Sequence, residues 1–415
     1  ELFMENYTAI IVGGGAAGMM CALRLKRRGV GVLLLERNDR LGRKLSATGN
    51  GQGNVTNEDM SAEHYFSSTG SAAPVLGRFG KDDLLDFLRE LGGLFSADGE
   101  GRVYPASRQA SSVTDIFRFA LAESGVRIAL GEKVLSARRA SGGFLVSTEK
   151  GEYASRALVL ACGGKASPHF GSDGSGYELA AGFGHTVTAL TPSLVRLKTE
   201  RGFIAGLKGI RCDCRVVLSK PCAHEKKRGE VFADTAVRGD VLFTESGLSG
   251  DAIFRLSARV REGDELCLDF LPDFGTVEVV SLLKKKAEKD PRMRAEDLLR
   301  CVVHGAGGRA ALRRCNIAPD SPAHDIFPKL AYLAGMLTFY PVKVTGTEGF
   351  ANAQVTKGGV PLSELDSELM SRRAEGLYFA GELLDIDGEC GGYNLQWAFS
   401  SGAVVADAIA ERFGK

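Results

Sequence analysis

The stretch YTAIIVGGGAAGMMCALRLKRRGVGVLLLER, residues 7–37, constrains this chain more than any other. Its apolar run at 7–12 is too short for a stable helix and reads as a buried strand. Gly13, Gly15 and Gly18 then keep the G-x-G-x-x-G spacing. In that spacing the first glycine gives a tight turn, the second lets backbone approach a pyrophosphate, and the third lets the helix press on the strand. Small Ala16 and Ala17 open the helix. Arg24, Lys26, Arg27 and Arg28 crowd its far end, where cations suit the macrodipole, and Gly29 stops it. A second apolar run at 30–35 ends on Glu36, eighteen residues after Gly18. There a carboxylate accepts hydrogen bonds from a ribose diol and repels a 2′-phosphate. Strand, glycine turn, helix, strand and terminal acid together predict a βαβ nucleotide unit.

That unit serves NAD and FAD alike, so the choice rests on the residues that come after it. Residues 37–57, RNDRLGRKLSATGNGQGNVTN, are too polar and glycine-rich to form a core element. They suit a ligand-wrapping loop, with Arg37, Arg43 and Lys44 to offset phosphate charge and Thr48, Gly49, Asn50, Gly51 and Asn54 to line an extended ligand. Near the other end of the chain, the turn at Gly381 and Glu382 and an acidic loop lead to GECGGYNLQW, 388–397, which opens a helix over about 393–410. Gly392, Tyr393, Asn394, Leu395 and Gln396 form its start, where free N–H groups and a positive dipole end collect. Reduced flavin carries negative charge over N1 and O2 of its ring, which such an end stabilises. A ligand held at Gly13–Gly18 and at this helix start must be about as long as FAD. FAD is therefore the expected cofactor.

Bulk properties narrow the class. The chain has 415 residues, 44% hydrophobic and 25% charged, with net charge +1. That length suits two domains, or one with a large insertion. Near-zero charge and the lack of a basic stripe argue against nucleic acid, and no apolar run approaches a membrane span. With 53 glycines the chain exceeds the usual share of about 7%, and they cluster at 13–18, 49–53, 171–176, 305–308 and 388–392, as ligand loops do. Nine cysteines lie without a disulfide framework. No leader is read ahead of the first strand, and residues 1–3, before Met4, are left out of the reasoning. A reducing, cytoplasmic setting is expected.

Helices are expected at 81–91 and 112–123, and short strands at 126–130, 134–138, 144–148 and 152–155. A buried strand at 157–164 then returns to the nucleotide unit, carrying Ala161 and Gly163 to the cofactor. From about 191 to 345 the texture changes. Strand-like runs (194–199, 212–218, 229–232, 241–244, 266–271) precede amphipathic stretches (276–288, 295–303, 309–314), a β-rich region with a helical appendage. Cys212, Cys214, Cys222 and His224 fall within thirteen residues, but their spacing is not that of paired C-x-x-C ligands, and no metal is expected. Cys162 and Cys390 read as small fillers, the second beside the flavin. His169, between two glycine-rich stretches, is a candidate proton donor or loop anchor.

The motifs VGGGAAGMMCA, GRKLSATGNGQGNVTN, GRVYPASRQASSV, LVLACGGKASPHFGSDGSGYELAAGFGH, GLSGDAIFRLS, AQVTKGGV and GLYFAGELLDIDGECGGYNLQWAFSSG run through nearly the whole chain. In them the sequence resembles the YhiN/BaiN-like family of bacterial FAD-dependent flavoproteins, which includes a bile-acid enone reductase and an aminoacetone oxidase. The resemblance implies an α/β fold: a Rossmann-type FAD-binding domain, glutathione-reductase-like and related to fumarate reductase, with an inserted β-rich cap domain. The FAD domain is expected at 4–191 plus 346–415 and the cap at 192–345. The likeness also implies that Val134 touches adenine through its backbone and that Arg102 and Tyr104 line the active-site cleft. Two departures stand out. Gly51-Gln52-Gly53-Asn54 replaces Gly-Arg-Cys-Asn, and Gly247 to Asp251 reads GLSGD where many relatives have Gly-Ile-Ser-Gly-Pro.

The expected activity is an NAD(P)H-driven reduction of a C=C bond conjugated to a carbonyl in a small hydrophobic, steroid-like substrate, with the nicotinamide a transient donor. Tyr104, Tyr340, Tyr393 and His169 are the candidate proton donors, since a tyrosine suits protonation of an enolate. The alternative is an oxidase of a small amine that releases peroxide. A third class, a flavin-containing sensor or RNA-associated protein, is disfavoured by the charge balance. The oligomeric state is not legible.

Overall fold

The computed structural model describes residues 6–219 and 236–414. It divides into two compact units, Glu1–Ser193 with Phe350–Lys415, and Leu194–Gly349.

The first unit is built on a seven-stranded sheet. Strand β1 (Asn6–Val12) leads into helix α1 (Ala16–Arg27) and strand β2 (Val32–Glu36). Ala9, Ile10, Ile11 and the leucines of β2 are buried, as strands covered on both faces must be. The spatial order runs Arg127–Leu130, β2, β1, Glu152–Leu160, Gly143–Thr148, Val134–Ala140, and Leu377–Phe379 also pairs with Glu152–Leu160. Pairings up to Glu152–Leu160 and on to Leu377–Phe379 are parallel, whereas Gly143–Thr148 and Val134–Ala140 add antiparallel. Two expectations are corrected here. The runs at 152–155 and 157–164 are one nine-residue strand, because no glycine or proline breaks the chain between them. The run at 126–130 belongs beside β2 rather than in the antiparallel meander.

Helices Lys81–Glu90 and Ala110–Ser124 fall close to their expected spans. The closing helix, Tyr393–Phe413, is the longest element and lies within the core. Its Phe399 stacks on Phe117 with ring centroids 5.4 Å apart. Its Gly402 meets α1 so closely that a Cβ there would stand 2.3 Å from the Ala17 carbonyl oxygen. The two helix backbones therefore touch, which fixes both helix starts in one frame.

In the second unit a closed barrel runs Leu197–Thr199, Gly247–Ser249, Ala236–Phe243, Arg211–Ser219, Glu265–Asp269, Tyr340–Thr347. Helices Thr276–Lys289, Gly305–Arg314 and Leu330–Thr338 pack apolar faces into the same core. The strand expected at 229–232 lies outside the described residues. Among the described residues no helix is long and apolar enough to cross a membrane.

Candidate functional site

The site begins where β1 ends. Gly13 has φ +108°, and a Cβ there would stand 2.4 Å from the Ala161 carbonyl oxygen, so no other residue makes this turn without moving the neighbouring strand. Its N–H donates to Leu35 O at 2.8 Å, and the Ala161 N–H donates to Val12 O at 2.9 Å. Gly18 presses as closely on Gly13. Gly15 behaves differently: as the N-cap of α1 it faces open space, with nothing within 4 Å of a Cβ built on it. No side chain caps α1 and its first turn holds no acid. Among the described residues the N–H groups of Gly15, Ala16 and Ala17 meet no protein acceptor. Orphan donors, a positive dipole end and open space fit a diphosphate.

At the end of β2 the buried Glu36 carboxylate accepts hydrogen bonds from Gly14 N at 2.7 Å, Asn38 N at 2.8 Å and Asn38 Nδ2 at 2.7 Å. A carboxylate offers about four lone-pair sites, so one acceptor position remains for a ribose hydroxyl. The Glu132 N–H donates to Glu36 O at 2.9 Å and Gly131 N–H to Asn38 O at 2.8 Å. These bonds bring Val134, at the start of its strand, beside the same corner. Gly163, with φ +74°, follows the strand that ends at Leu160.

Three cations of residues 37–44, Arg37, Arg43 and Lys44, are engaged by the protein itself. Arg37 pairs with Asp173 at 2.5 Å. Burial pushes the Asp173 carboxyl up, but the Arg37 and Ser175 hydrogen bonds outweigh it and hold the group down at about 2. Arg43 donates to Asn38 Oδ1 at 2.9 Å and to the His169 carbonyl at 3.3 Å. Lys44 pairs with Glu382 at 2.7 Å, whose other oxygen accepts from Thr356 N at 2.9 Å. The charge facing a diphosphate thus comes foremost from the α1 backbone. His169 is exposed, and its ring lies against Phe170, so it is tied to this corner through its carbonyl.

In the following loop Thr48 Oγ1 donates to Leu45 O, Gly49, Asn50 and Gly51 all have positive φ, and Asn50 and Gly51 are exposed. Asn54 is buried, and its Nδ2 donates to Thr56 O and Val103 O, both at 3.0 Å. That amide joins the loop to the strands Thr56–Asn57 and Arg102–Pro105.

Gly392 caps the closing helix with φ +99°, and a Cβ there would stand 2.4 Å from Thr56 O. As at α1, no side chain caps this helix and its first turn is free of acids. Among the described residues the N–H groups of Asn394 and Leu395 meet no protein acceptor. The amide side chains of this helix start are held by the protein itself. Gln396 is 0% exposed, accepting from Thr56 Oγ1 at 2.6 Å and donating to Ser400 Oγ at 2.9 Å. Asn394 turns back, accepting from Gly388 N and donating to Gly388 O, both at 2.8 Å. Its role is to close the glycine turn, while the backbone presents the charge. Trp397 donates through Nε1 to Gly381 O at 3.1 Å and Ser401 Oγ accepts from Gly381 N at 2.8 Å. The single tryptophan therefore positions the Gly381–Glu382 turn. From Tyr393 to the Gly402 crossing with Ala17 is nine residues, about 14 Å at ~1.5 Å each. Two helix starts with open N–H groups that far apart in one frame suit a dinucleotide such as FAD.

Polar groups near the closing helix start come from several elements. Tyr104 is largely buried under the Arg108 guanidinium, 4.3 Å from its ring centroid; burial raises its phenol while Arg102 draws it down. Tyr393 is buried, and its carbonyl accepts from Tyr65 Oη at 2.9 Å. Two groups escaped sequence reasoning. Asp387 is 2% exposed, accepts from Ser193 Oγ at 3.3 Å, and burial pushes its carboxyl up to about 6 against the pull of Lys357. His64 lies between Glu389 and Asp59 and against Tyr393. The alternating acids of DIDGE were the available signal for the first. The second had none, since Glu389 is 325 residues away.

Tyr340 is a correction. It is 1% exposed in the core of the second unit and donates to Phe203 O at 2.6 Å, because its strand closes the barrel. Burial, then Glu36, pushes the Cys162 thiol up to about 12, away from the thiolate form that a redox role needs. Cys212 and Cys214 share a strand face with Sγ atoms 3.2 Å apart. Cys222 and His224 lie outside the described residues, and among the described residues no cluster of three or more potential ligands is arranged to hold a metal ion.

A family model described as HI0933-like protein Rossmann domain matches residues 7–408. A 3-dehydro-bile acid delta(4,6)-reductase of Clostridium scindens is 36% identical over 97% of this chain and 98% of its own length. A ribosomal RNA dihydrouridine synthase of Escherichia coli is 30% identical over 99% and 100%. Among solved structures, a flavocytochrome c3 fumarate reductase aligns with TM-score 0.49 at 15% identity, covering 99% of this chain and 79% of that one.

Proposed function

The chain belongs to the HI0933-like Rossmann-domain family of flavin-dependent oxidoreductases, and from that premise we propose that it is an NAD(P)H-driven reductase of a C=C bond conjugated to a carbonyl in a small hydrophobic, steroid-like substrate. One observation carries the reading: 36% identity along nearly the full length to a protein named a 3-dehydro-bile acid delta(4,6)-reductase.

When bound, FAD supplies two-electron hydride chemistry. In this reading the α1 backbone N–H groups at Gly15–Ala17 hold the diphosphate and Glu36 holds the ribose. The N-terminus of Tyr393–Phe413 offsets the charge that reduction places on the ring. A conjugated carbonyl gathers negative charge as its far carbon is reduced, so the site needs a proton source. Tyr104 and Asp387 are the candidates. Asp387 keeps its proton into the weakly acidic range because its site is dry, and Lys357 and Ser193 are its neighbours. NADH or NADPH is the transient donor.

A second substrate is favoured by the E. coli relative's name. Dihydrouridine arises by saturating the uracil C5=C6 bond, itself conjugated to the C4 carbonyl, so the same chemistry would serve a uridine in RNA. The test is anaerobic. FAD-loaded protein reduced by NADH or NADPH is offered a 3-oxo-4-ene steroid, then a uridine-containing ribosomal RNA fragment. Recovery of the oxidised flavin spectrum with the steroid supports the first reading, recovery with RNA alone the second, and recovery with neither any enone nor RNA rejects both.

A further inference from the structure

His64 sits in a short 3-10 turn, Ala62–His64, just before the strand Tyr65–Phe66 that pairs with Asp387–Gly388. Its Nδ1 is 3.1 Å from Glu389 Oε2 and its Nε2 is 3.1 Å from Asp59 Oδ2. Its backbone carbonyl accepts from Glu389 N at 3.0 Å. Its ring stacks on Tyr393, with centroids 4.5 Å apart and planes 26° from parallel. A neutral imidazole donates from one nitrogen only and would turn its other lone pair on a carboxylate, whereas an imidazolium donates from both. Two carboxylates at both nitrogens therefore select the charged ring. Partial burial disfavours that charge, but the hydrogen bonds to Asp59 and then Glu389 outweigh it, so His64 keeps its proton above the ordinary histidine range.

The ring joins three segments that are remote in sequence: Asp59 on the preceding loop, Glu389 in the 388–391 turn, and Tyr393, first residue of the closing helix. Glu63, one residue earlier, is exposed. The neutral ties of the 388–391 turn include Asn57 Nδ2 bonded to Gly391 O at 3.0 Å, the Tyr65 hydroxyl bonded to Tyr393 O, and the Asn394 amide bonded to Gly388 N and O at 2.8 Å. The His64 contacts with Glu389 and Asp59 add charged ties.

We propose that His64 is a positioning residue whose imidazolium, held between Asp59 and Glu389 and stacked on Tyr393, braces the 388–391 turn so that the closing helix presents its N-terminus to the flavin ring. This rests on the proposed FAD site. The sign comes from linkage: a histidine whose pKa is raised on gaining partners contributes fully below its unfolded value and loses its contribution as pH rises through the folded value. Because the FAD-bound chain needs the braced turn, it holds the His64 proton more tightly than the free chain, and FAD binding should weaken as pH rises through the free-chain value. His64 is partly open, with 26% side-chain exposure, so the loss is that of a screened pair, about three- to fivefold in affinity.

The test uses the full chain. The histidine ring signals are titrated by NMR between pH 5 and 9, with His64 assigned by its loss in His64→Gln. FAD affinity is measured across the same range for wild type, His64→Gln and Glu389→Gln. The expected result is a His64 midpoint above 6.5, lowered in Glu389→Gln, with wild-type affinity falling through that midpoint and His64→Gln weak and flat. A midpoint at or below 6.5, or matching pH profiles for wild type and His64→Gln, overturns the proposal. Folded protein that binds no FAD at any pH defeats the flavin reading instead. The titration then still decides the brace, which stands only with a midpoint above 6.5.

Discussion

Replacing Gly392 by alanine isolates the claim that backbone geometry, rather than a side chain, presents the closing helix to its ligand. At φ +99° an L-residue is strained by roughly 1–2 kcal/mol. The added methyl would stand 2.4 Å from the Thr56 carbonyl oxygen and 2.5 Å from its carbon. Both are backbone atoms of a paired strand, and ordinary contact lies near 3.4 Å, so the helix start must retreat by about 1 Å. The Asn57–Gly391 bond, 3.0 Å now, would lengthen past useful range. The retreat relieves this strain in the free chain, so drawing the helix start back to the ring costs about 2–3 kcal/mol, a roughly thirtyfold or greater loss of affinity. The assay is FAD titration by quenching of flavin fluorescence, with Gly29→Ala as control. Gly29 also has positive φ, +75°, but a Cβ there meets nothing within 4 Å and lies at the far end of α1. It should bind FAD like wild type despite its backbone strain. Gly392→Ala binding FAD as tightly as Gly29→Ala would refute the reasoning.

Trp397→Phe removes the Nε1–H donor from the Gly381 carbonyl and leaves it the longer bond from the Leu384 N–H at 3.3 Å, so urea unfolding should show a loss of about 1 kcal/mol, with weaker FAD binding. Because the Asp387 carboxyl is raised on folding, the native state holds its proton longer than the unfolded chain, so stability falls as pH climbs from about 4 to about 6. Asp387→Asn should flatten that segment by up to about 3 kcal/mol, read from denaturant unfolding across it. Glu364 behaves oppositely: burial opposes its charge, but Arg373, Thr186 and His185 hold its carboxyl down at about 2. Its contribution is lost as pH falls from the ordinary glutamate range toward 2, and Glu364→Gln should remove that acid sensitivity while lowering stability at pH 7 by about 1–3 kcal/mol.

The Rossmann unit was legible because its signals are local. Three glycines at fixed spacing, an apolar run on either side and a terminal acid all lie within 31 residues. The closing helix was legible for the same reason, its glycines standing directly before a long apolar periodicity. Barrel closure was not, since Tyr340–Thr347 pairs with Glu265–Asp269 and with Leu197–Thr199, strands far away in sequence whose alternation looks the same in or out of a barrel. Tyr340 was misjudged on that account. Asn394, Gln396 and Trp397 drew attention for their polar groups, but spacing cannot reveal that Gly388, Thr56 and Gly381 already claim those groups. His64 needed two partners, one of them at the other end of the chain.

Two helix starts, Gly15–Ala17 and Gly392–Leu395, are proposed to hold one flavin dinucleotide at its two ends. Equilibrium binding of FAD to the folded chain, with ADP and riboflavin titrated separately, tests it most directly. The account predicts one FAD per chain, a flavin absorption spectrum, and much weaker binding of either half molecule alone. A folded, colourless chain that takes up no FAD, or that binds ADP as tightly as FAD, would contradict it.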